Sequence, residues 1–454
     1  MSGSSSICSH WFIVLLPLSQ LLVNMGAYTA AHAKPQGAGD ARPTALQIVR
    51  DEGVEGKLGG KVIVITGATS GIGLETARAL STTGATLFLT ARNLKMAETA
   101  LEGIVEAGRV LLVEMDNNSF ASIRAAAATI LKRSNNQVNI LINNAGVMGI
   151  PDLKLTEDGQ EVHFATNYLS EFLLFQLLKP ALLASATPDF HSRVVNVSSS
   201  AHRAGSLPKS DNYNFEKGRY NSGLAYANSK LASNYLANEI DRRYGSAGLH
   251  ATSLHPGGIN TSISRHVGPE FVQHIMANES IAKILKSAEQ GAATTVLAAI
   301  GKEWENKGGR YLEDCEEAKR GKDDNDTFGV GYVSQTYDPK NEARLWKDSL
   351  RIVGISDDKW CRTLKYSQCR QLAFPSKRPR KKSSCLIMGL FDQSDFVMGN
   401  SLMKRHLSCI RRECCSLESC LNALAWVSHC RRDEHDETAW ENRMLMALCT
   451  VRIT

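Results

Sequence analysis

The central part of the chain, residues 45–355, contains almost no cysteine. Its one cysteine is Cys315, whereas nine of the eleven cysteines in the 454-residue sequence follow Ser356. A single thiol cannot form an intramolecular disulfide, so a disulfide framework is excluded there. The composition favours a reducing compartment, or indifference to redox state, and we expect a cytoplasmic protein.

The same central region also lacks an excess of charge of either sign. The whole chain has 52 Lys and Arg against 46 Asp and Glu, a formal charge of +6. Residues after Ser356 account for all of it, with 17 basic and 11 acidic residues, again +6. Because nucleic-acid binding depends on basic side chains that neutralise phosphates, we expect no nucleic-acid partner for the neutral part.

Long apolar runs are missing as well. The run at residues 11–23 is shorter than the roughly 20 residues of a membrane-spanning helix. Ala31-His32-Ala33 resembles a signal-peptidase site, but no Lys or Arg precedes the apolar run, as it would in a secretory leader. Residues 1–44 are therefore predicted as a leader or extension. Secretion through residues 1–33, membrane association through residues 11–23 and a start at Met25 remain alternatives.

Residues 356–454 lack the periodicity of a packed domain. The basic run at 377–382 resembles a nuclear-localisation patch, although a solvated disordered run is the interpretation that we favour. Paired Cys-x-x-Cys spacing is absent, so we predict no metal site among the clustered cysteines and histidines after residue 400. These are Cys409, Cys414, Cys415, Cys420, Cys430, His406 and His429. We expect a basic, cysteine-containing, disordered tail.

A glycine-rich turn follows a strand-like run at residues 61–66. That run is apolar and β-branched, as in a buried parallel strand, and residues 74–80 have a helical pattern. Glycines spaced Gly-x-x-x-Gly-x-Gly let the backbone approach a pyrophosphate, and the helix N-terminus offers free N–H groups. We predict a dinucleotide site formed by Gly67, Ser70, Gly71, Ile72 and Gly73. A tight turn that binds nothing is the alternative. A shorter helix is also predicted from Pro43 to Val49.

The end of the second predicted strand, residues 86–90, bears on the choice of cofactor. An acidic residue there binds the ribose of NAD, while an arginine accommodates the 2′-phosphate of NADP. The sequence has Arg92 and no nearby carboxylate, so we expect NADP, with NAD less favoured. An Arg92 that only faces solvent is the alternative.

Two further strands are predicted at residues 110–115 and 138–142. The first ends at Asp116, where a side chain would meet an adenine, and the second runs into Asn143–Gly146. Small and amide residues at the carboxyl edge of a parallel sheet suit a ligand-binding crevice. We therefore add Asp116, Asn144, Ala145 and Gly146 to the predicted cofactor site. Ordinary turn formation is the alternative for the asparagines.

A tyrosine and a lysine four residues apart, Tyr226 and Lys230, are the best candidates for acid–base chemistry. Residues at this spacing lie on one face of a helix, one turn apart. A tyrosine has an unperturbed pKa of about 10, and a neighbouring ammonium favours the tyrosinate. We expect Lys230 to lower the pKa of Tyr226 and so make it an effective proton donor and acceptor.

Two more polar groups are candidates for the chemistry. A strand predicted from Arg193 leaves three hydroxyls, Ser198 to Ser200, at its end, and one could stabilise charge on a carbonyl oxygen. Asn167 lies in a predicted helix that starts near Thr156, where a buried amide could hold a proton-relaying water. Ordinary turn serines and a surface asparagine are the alternatives.

Together, these motifs resemble the short-chain dehydrogenase/reductase family over residues 45–355. The resemblance implies one doubly wound Rossmann-type α/β domain, a parallel sheet with helices on both faces. It also implies a catalytic set of Asn167, Ser199, Tyr226 and Lys230, with Tyr226 and Lys230 also contacting the cofactor. The loop at 255–261 resembles the segment beside the nicotinamide, which adds Pro256, Gly257, Ile259 and Thr261.

Ser199 and Tyr226 are 27 residues apart, farther than the dozen or so common in the family. This longer connection resembles the branch that contains retinol dehydrogenases. We therefore predict an NADP-dependent oxidoreductase that interconverts a carbonyl and an alcohol. The expected substrate is a small-molecule compound with a bulky apolar body. A non-catalytic NADP-binding sensor is the alternative, and a homo-oligomer is compatible with the sequence. Apolar residues between 262 and 325 are expected as a flap over the site or as ordinary core: Phe271, Val272, Ile275, Met276, Ile281 and Ile284.

Overall fold

A computed structural model describes residues 28–268, 273 and 277–356. The predictions for residues 1–27 and 357–454, and those for Phe271, Val272, Ile275 and Met276, lie outside the described residues. Within the described residues, no helix is both long enough and apolar enough to cross a bilayer.

An eight-stranded sheet forms the centre of the described region, with the order β3-β2-β1-β4-β5-β6-β7-β8. All neighbouring strands are parallel except β7 and β8. The strands are β1 (Val62–Ile65), β2 (Thr86–Ala91), β3 (Val110–Glu114), β4 (Ile140–Asn143), β5 (Ser192–Val197), β6 (Leu249–His255), β7 (Arg310–Glu313) and β8 (Glu316–Glu317). The strand order reverses between β1 and β4, and ligands bind at such switch points in open α/β sheets.

Helices cover both faces of the sheet. The described α-helices are Thr29–His32, Ala45–Asp51, Gly71–Ser81, Leu94–Ala100, Phe120–Arg133, Val162–Phe164, Ser170–Ser185, Ser222–Tyr244, Glu279–Ile284, Ala288–Gly291, Ala293–Ile300 and Pro339–Ile352. A π-helical turn spans Ala165–Leu169, and 3₁₀ turns span Ser200–Ala204, Gly245–Ala247, Ser262–His266, Lys302–Trp304 and Ser334–Thr336. The predicted doubly wound fold is confirmed.

The alternation of side chains along β1 shows why two cores form. Val62 and Val64 pack into one buried cluster, with the helices Phe120–Arg133, Ser170–Ser185 and Ser222–Tyr244. Ile63 and Ile65 point the other way, into a second cluster with the helices on the opposite face. Since successive strand residues face opposite sides, an unbroken apolar strand requires cover on both.

The helix that carries Asn167 begins later than predicted. Residues 156–160 form a turn, closed by the bond from the Thr156 N–H to the Gln160 carbonyl, and Gly159 has a φ of +73°. The helix then begins at Val162, because the Glu161 carboxylate accepts the N–H groups of His163 and Phe164. The predicted start near Thr156 was therefore wrong, since a glycine turn and a carboxylate cap set the boundary.

Residues before β1 form hydrogen bonds with residues 284–290. The buried guanidinium of Arg42 donates to the carbonyls of Ile284 at 2.8 Å and Leu285 at 2.6 Å. Gln290 donates in return to the Arg42 carbonyl at 3.1 Å. The predicted short helix is present at Ala45–Asp51, where the Thr44 hydroxyl accepts the N–H of Gln47.

Candidate active site

A cavity of about 740 Å³ lies at the carboxyl ends of the central strands. It brings together nearly all the residues that the sequence predicted for the site: Gly67, Ser70, Gly71, Ile72, Gly73, Arg92, Asp116, Asn144, Ala145, Gly146, Ser199, Tyr226, Lys230, Pro256, Gly257, Ile259 and Thr261. Asn167 is the exception and lies behind the cavity wall, where it contacts Val147.

Glycines are required where the turn after β1 meets the end of β4. A Cβ atom on Gly67 would lie 2.9 Å from the Ala145 Cα, and one on Gly73 would lie 2.2 Å from the Gly67 carbonyl oxygen. Gly67 also has a φ of +62°. The Asn144 amide crosses this gap and donates to the carbonyls of Thr66 and Gly67. Any side chain here would push the two loops apart.

The helix Gly71–Ser81 starts at this turn, without a side-chain cap from Ser70. Its first N–H groups therefore lack the usual partner at the end that lines the cavity, and this end carries the positive pole of the helix dipole. Such an end attracts anions, including phosphate groups. The glycine cradle and the uncapped helix start together fit a dinucleotide pyrophosphate.

Arg92 and Asp116 lie beyond the turn, where the cavity meets the ends of β2 and β3. Arg92 is exposed and, among the described residues, pairs with no carboxylate. The Asp116 carboxylate accepts the N–H of Asn118 at 3.0 Å, which holds the residues after β3 in a turn. This end of the cavity therefore offers an unpaired guanidinium to a ligand.

Tyr226 and Lys230 both line the cavity from the helix Ser222–Tyr244. The Lys230 ammonium lies 5.8 Å from the centre of the Tyr226 ring and donates to the Val197 carbonyl at 2.9 Å. Burial raises the pKa of Tyr226, and its hydrogen bond with Ser199 opposes that rise. The sequence predicted a lowered pKa for Tyr226, and that prediction was wrong. Desolvation of the phenol dominates and raises the pKa.

Ser199 and Ser198 have different surroundings, although they are adjacent. The Ser199 side chain bonds with Tyr226 and accepts the N–H of Ala201 at 3.1 Å. The Ser198 hydroxyl is buried and donates to the Lys230 carbonyl at 2.8 Å. Of the two, Ser199 is therefore the one whose hydroxyl lies beside the phenol at the cavity.

Asn167 occupies the π-helical turn that precedes the helix Ser170–Ser185. Its side-chain oxygen accepts the Val147 N–H at 2.8 Å, and its amide nitrogen donates to the Val147 carbonyl and to Ser229. These bonds fix the segment after Gly146 against the helix that carries Tyr226. A π-helical turn is rare and often marks a functional position.

Two histidines support the turn at Ser199. The His202 ring donates from Nδ1 to the Ser199 carbonyl at 2.7 Å and accepts from the Thr336 hydroxyl at 2.9 Å. The His255 ring accepts the Ser200 N–H at 3.1 Å. Burial lowers the pKa of His202 to about 4 and that of His255 to about 3, so both are neutral at pH 7.

Arg203 is a structural centre that the sequence patterns did not reveal. Its side chain, 2% exposed, donates to the carbonyls of Lys322, Asp326, Val330 and Gly331 and to the Asp324 carboxylate. The Ser200 hydroxyl adds a bond to the Thr327 carbonyl at 2.7 Å. These contacts hold the loop 320–332 beside Ser199, so that Phe328 lines the cavity.

Glu171 was also missed, although one signal was available. It is a lone carboxylate among Phe172, Leu173 and Leu174, in a helix that is otherwise apolar at that end. The structure buries it below the cavity, where its Oε1 accepts from the Thr66 hydroxyl at 2.7 Å.

Comparison with known proteins gives the family. The "short chain dehydrogenase" family profile matches residues 61–270. The chain is 48% identical over 332 residues to the short-chain dehydrogenase/reductase prx1 of Penicillium roqueforti, covering 73% of this chain and 96% of that protein. It is 36% identical to human retinol dehydrogenase 12 over 303 residues, covering 66% of this chain and 88% of that protein.

A solved structure agrees with these matches. A crystal structure of an uncharacterized protein from Mycobacterium Paratuberculosis superposes with a TM-score of 0.52 and is 28% identical. The match covers 70% of this chain and 99% of that protein. The chain therefore belongs to the short-chain dehydrogenase/reductase family, whose members are oxidoreductases that use NAD(P) and act on alcohol and carbonyl groups.

Proposed function

We propose that the protein uses NADP to interconvert a carbonyl and an alcohol on a bulky apolar substrate, with Tyr226 as the acid–base. The observation that carries the proposal is that Ser199, Tyr226 and Lys230 line one cavity, with the Lys230 ammonium 5.8 Å from the centre of the Tyr226 ring. These three groups meet in the cavity that also contains the glycine turn.

The proposed roles follow from the state of each side chain. When bound, the reduced nicotinamide supplies a hydride to the carbonyl carbon. Tyr226 gives its proton to the carbonyl oxygen, and its raised pKa keeps that proton available at neutral pH. Ser199 donates a hydrogen bond to the same oxygen as charge develops, and the Lys230 ammonium stabilises the tyrosinate that remains. Alcohol oxidation runs through the same steps in reverse.

The preference for NADP rests on Arg92. Its guanidinium lines the cavity and has no carboxylate partner among the described residues, so it is free to pair with a 2′-phosphate. A planar guanidinium forms paired hydrogen bonds with phosphate oxygens, which are stronger than neutral ones. The ribose of NAD offers only a hydroxyl at that position.

The apolar substrate class rests on the apolar side chains of the cavity lining. Ile281, Ile284, Leu285 and Phe328 belong to it, and Phe328 is 58% exposed although it is a large hydrophobic residue. Pockets of this size with apolar walls and a few polar groups suit small organic ligands. The name of the relative retinol dehydrogenase 12 agrees, since retinol is a large apolar alcohol.

The direct test is Tyr226→Phe in the full-length protein. A screen of aldehydes, ketones and sterols with NADPH first identifies a working substrate. The variant should then lose about 1,000-fold in kcat, the usual contribution of general acid–base catalysis, while its NADPH Kd stays within about twofold. Tyr244→Phe, on the same helix but away from the cavity, should behave as the wild type. A Tyr226→Phe variant that keeps most of its activity contradicts the proposed mechanism.

The cofactor preference is tested separately with Arg92→Gln. Hydrogen bonds to charged groups contribute roughly 1.5–3 kcal/mol, so NADPH affinity should fall by about 10- to 100-fold. NADH affinity should be unchanged, and Arg50→Gln, an exposed arginine outside the cavity, should change neither. Equal losses for NADPH and NADH would show that Arg92 does not read the 2′-phosphate.

A further inference from the structure

Glu171 is a buried carboxyl group that contacts Asn117, a residue of the cavity lining. It is 2% exposed and follows the π-helical turn that holds Asn167. Burial of a carboxyl group among apolar side chains costs free energy unless its oxygens find compensating partners. The contacts of this residue therefore indicate what it does.

One oxygen of Glu171 organises the turn after β4. Oε1 accepts from the Thr66 hydroxyl at 2.7 Å and from the Asn117 amide at 3.2 Å. The Thr66 oxygen in turn accepts the N–H groups of Asn144 at 2.9 Å and Ala145 at 3.0 Å. A hydroxyl has one proton and two lone pairs, so donation to Glu171 leaves both lone pairs for these N–H groups.

The other oxygen, Oε2, has no hydrogen-bond partner among the described residues. Three elements supply the groups that act on Glu171: the end of β1 with Thr66, the segment after β3 with Asn117, and the helix Ser222–Tyr244 with Lys230. Lys230 is the one charged group among them, and Glu171 is the one charged group in the described region that acts on Lys230.

Desolvation acts on the two partners in opposite directions. Burial raises the pKa of Glu171 to about 8, while Thr66, Asn117 and Lys230 oppose the rise. Burial lowers the pKa of Lys230 to about 8, and the charge of Glu171 opposes that fall. Each group therefore favours the charged form of the other.

We propose that Glu171 is a positioning residue with two separable roles. Its carboxyl group orients the Thr66 hydroxyl that holds the Asn144–Ala145 turn, and its ionised form is the counter-charge that favours the ammonium form of Lys230. The second role rests on the proposed function, in which the Lys230 ammonium stabilises the tyrosinate of Tyr226.

Two variants separate these roles. Glu171→Gln keeps an acceptor oxygen for Thr66 but removes the charge, so the alkaline limit of kcat should move down by about one pH unit, with little change in NADPH Kd. Thr66→Val keeps the carboxyl group but removes the acceptor of two N–H groups. NADPH Kd should then rise about tenfold, and the alkaline limit should move less than in Glu171→Gln.

A purely structural residue would give a different pattern. Glu171→Gln would then reduce kcat by the same factor at every pH, and that result would overturn the counter-charge role. Glu342→Gln is a matched control, because Glu342 is equally buried and accepts bonds from Asn238 and Arg242 outside the cavity. It should lower stability without moving the pH limit.

A second measurement needs no turnover. The pKa of Glu171 is higher in the folded protein, about 8, than the 4.5 of an unperturbed carboxyl group, so the unfolded chain releases this proton first as pH rises. The wild type should therefore lose stability between about pH 4.5 and pH 8 relative to Glu171→Gln. Denaturant unfolding across that range measures the difference, and a constant difference would refute the proposal.

If Glu171→Gln does not fold, Lys230→Met provides the same information. Removal of the ammonium should raise the pKa of Glu171 further, so the loss of stability should extend above pH 8. An unchanged range would show that the two groups are not coupled. Absence of turnover on every substrate would count against the proposed function alone, since both unfolding measurements remain valid without it.

Discussion

The two halves of the site are built from different materials. Residues 61–150 form the predicted cofactor side largely from main-chain atoms, with glycines at close approaches and the Asn144 amide between two loops. Residues 192–332 form the predicted chemical side from buried charged and ring side chains, among them Arg203 and His202. The first half depends on the absence of side chains, and the second depends on their hydrogen bonds.

This difference predicts how each half fails. The cofactor side should be sensitive to added volume and should not titrate through a histidine, since residues 61–150 contain none. The chemical side should be sensitive to the loss of a hydrogen-bond donor and to protonation of a buried histidine. Four measurements test the contrast, in order of decreasing effect.

The largest effect is expected for Arg203→Leu. Its guanidinium makes five hydrogen bonds to the loop 320–332, each worth about 1 kcal/mol, so the free energy of unfolding should fall by about 5 kcal/mol. Hydrogen exchange should increase mainly in that loop. Arg320→Leu, an exposed arginine of the same loop, should cost less than about 1 kcal/mol. Equal losses for both variants would contradict the central role of Arg203.

Acid sensitivity should follow, with His202 as a main source. Its pKa is about 4 in the folded protein against 6.5 in an unperturbed ring, so the unfolded chain takes up a proton first as pH falls. Stability should therefore decline from about pH 6.5 towards pH 4, by roughly 3 kcal/mol from this group. Denaturant unfolding of His202→Asn should show a smaller slope over that range. An unchanged slope would exclude His202 as the source.

On the cofactor side, Gly73→Ala adds a single methyl group. Its Cβ would lie 2.2 Å from the Gly67 carbonyl oxygen, and forced overpacking costs up to about 3 kcal/mol, so NADPH Kd should rise on the order of 100-fold. Titration of protein fluorescence with NADPH measures this. Gly59→Ala, which meets no atom within 4 Å, should bind normally. A normal Kd for Gly73→Ala would show that the turn can yield.

The smallest effect is expected for Phe328→Ala. Its ring lines the cavity but is 58% exposed, so stability should hardly change. KM for bulky apolar substrates should rise about tenfold, from partial loss of roughly 1.5–3 kcal/mol of burial, while KM for short aldehydes stays the same. Val330→Ala, 73% exposed on the same loop and outside the cavity lining, is the control. Identical KM changes for both substrate sizes would remove Phe328 from the binding wall.

The same contrast explains how far the sequence could be interpreted. The strand β1 and the glycine turn were predictable because their signals are local: β-branched residues, then glycines, then a helical pattern. Arg203 was not predictable, because its partners lie more than 115 residues later in the chain. Glu171 depends on Thr66, 105 residues earlier, so only its presence in an apolar helix hinted at a role.

The pKa of Tyr226 shows a different limit. The spacing of Tyr226 and Lys230 correctly indicated that they share one helix face, and that is a local property. The direction of the pKa shift depends on burial by the rest of the fold, which no local pattern contains. Catalytic roles for these residues, and for Asn167 and Ser199, stay predictions until the variants are measured.

Arg42 donates hydrogen bonds to Ile284 and Leu285, which line the cavity. This arginine precedes the family match at residues 61–270, so a segment outside the match helps to position the cavity lining. A protein that began at residue 61, where the match begins, would lack this guanidinium and leave the Ile284 and Leu285 carbonyls without that donor. Substitutions confined to residues 36–42 should therefore alter which molecules enter the cavity, while every predicted catalytic side chain stays unchanged.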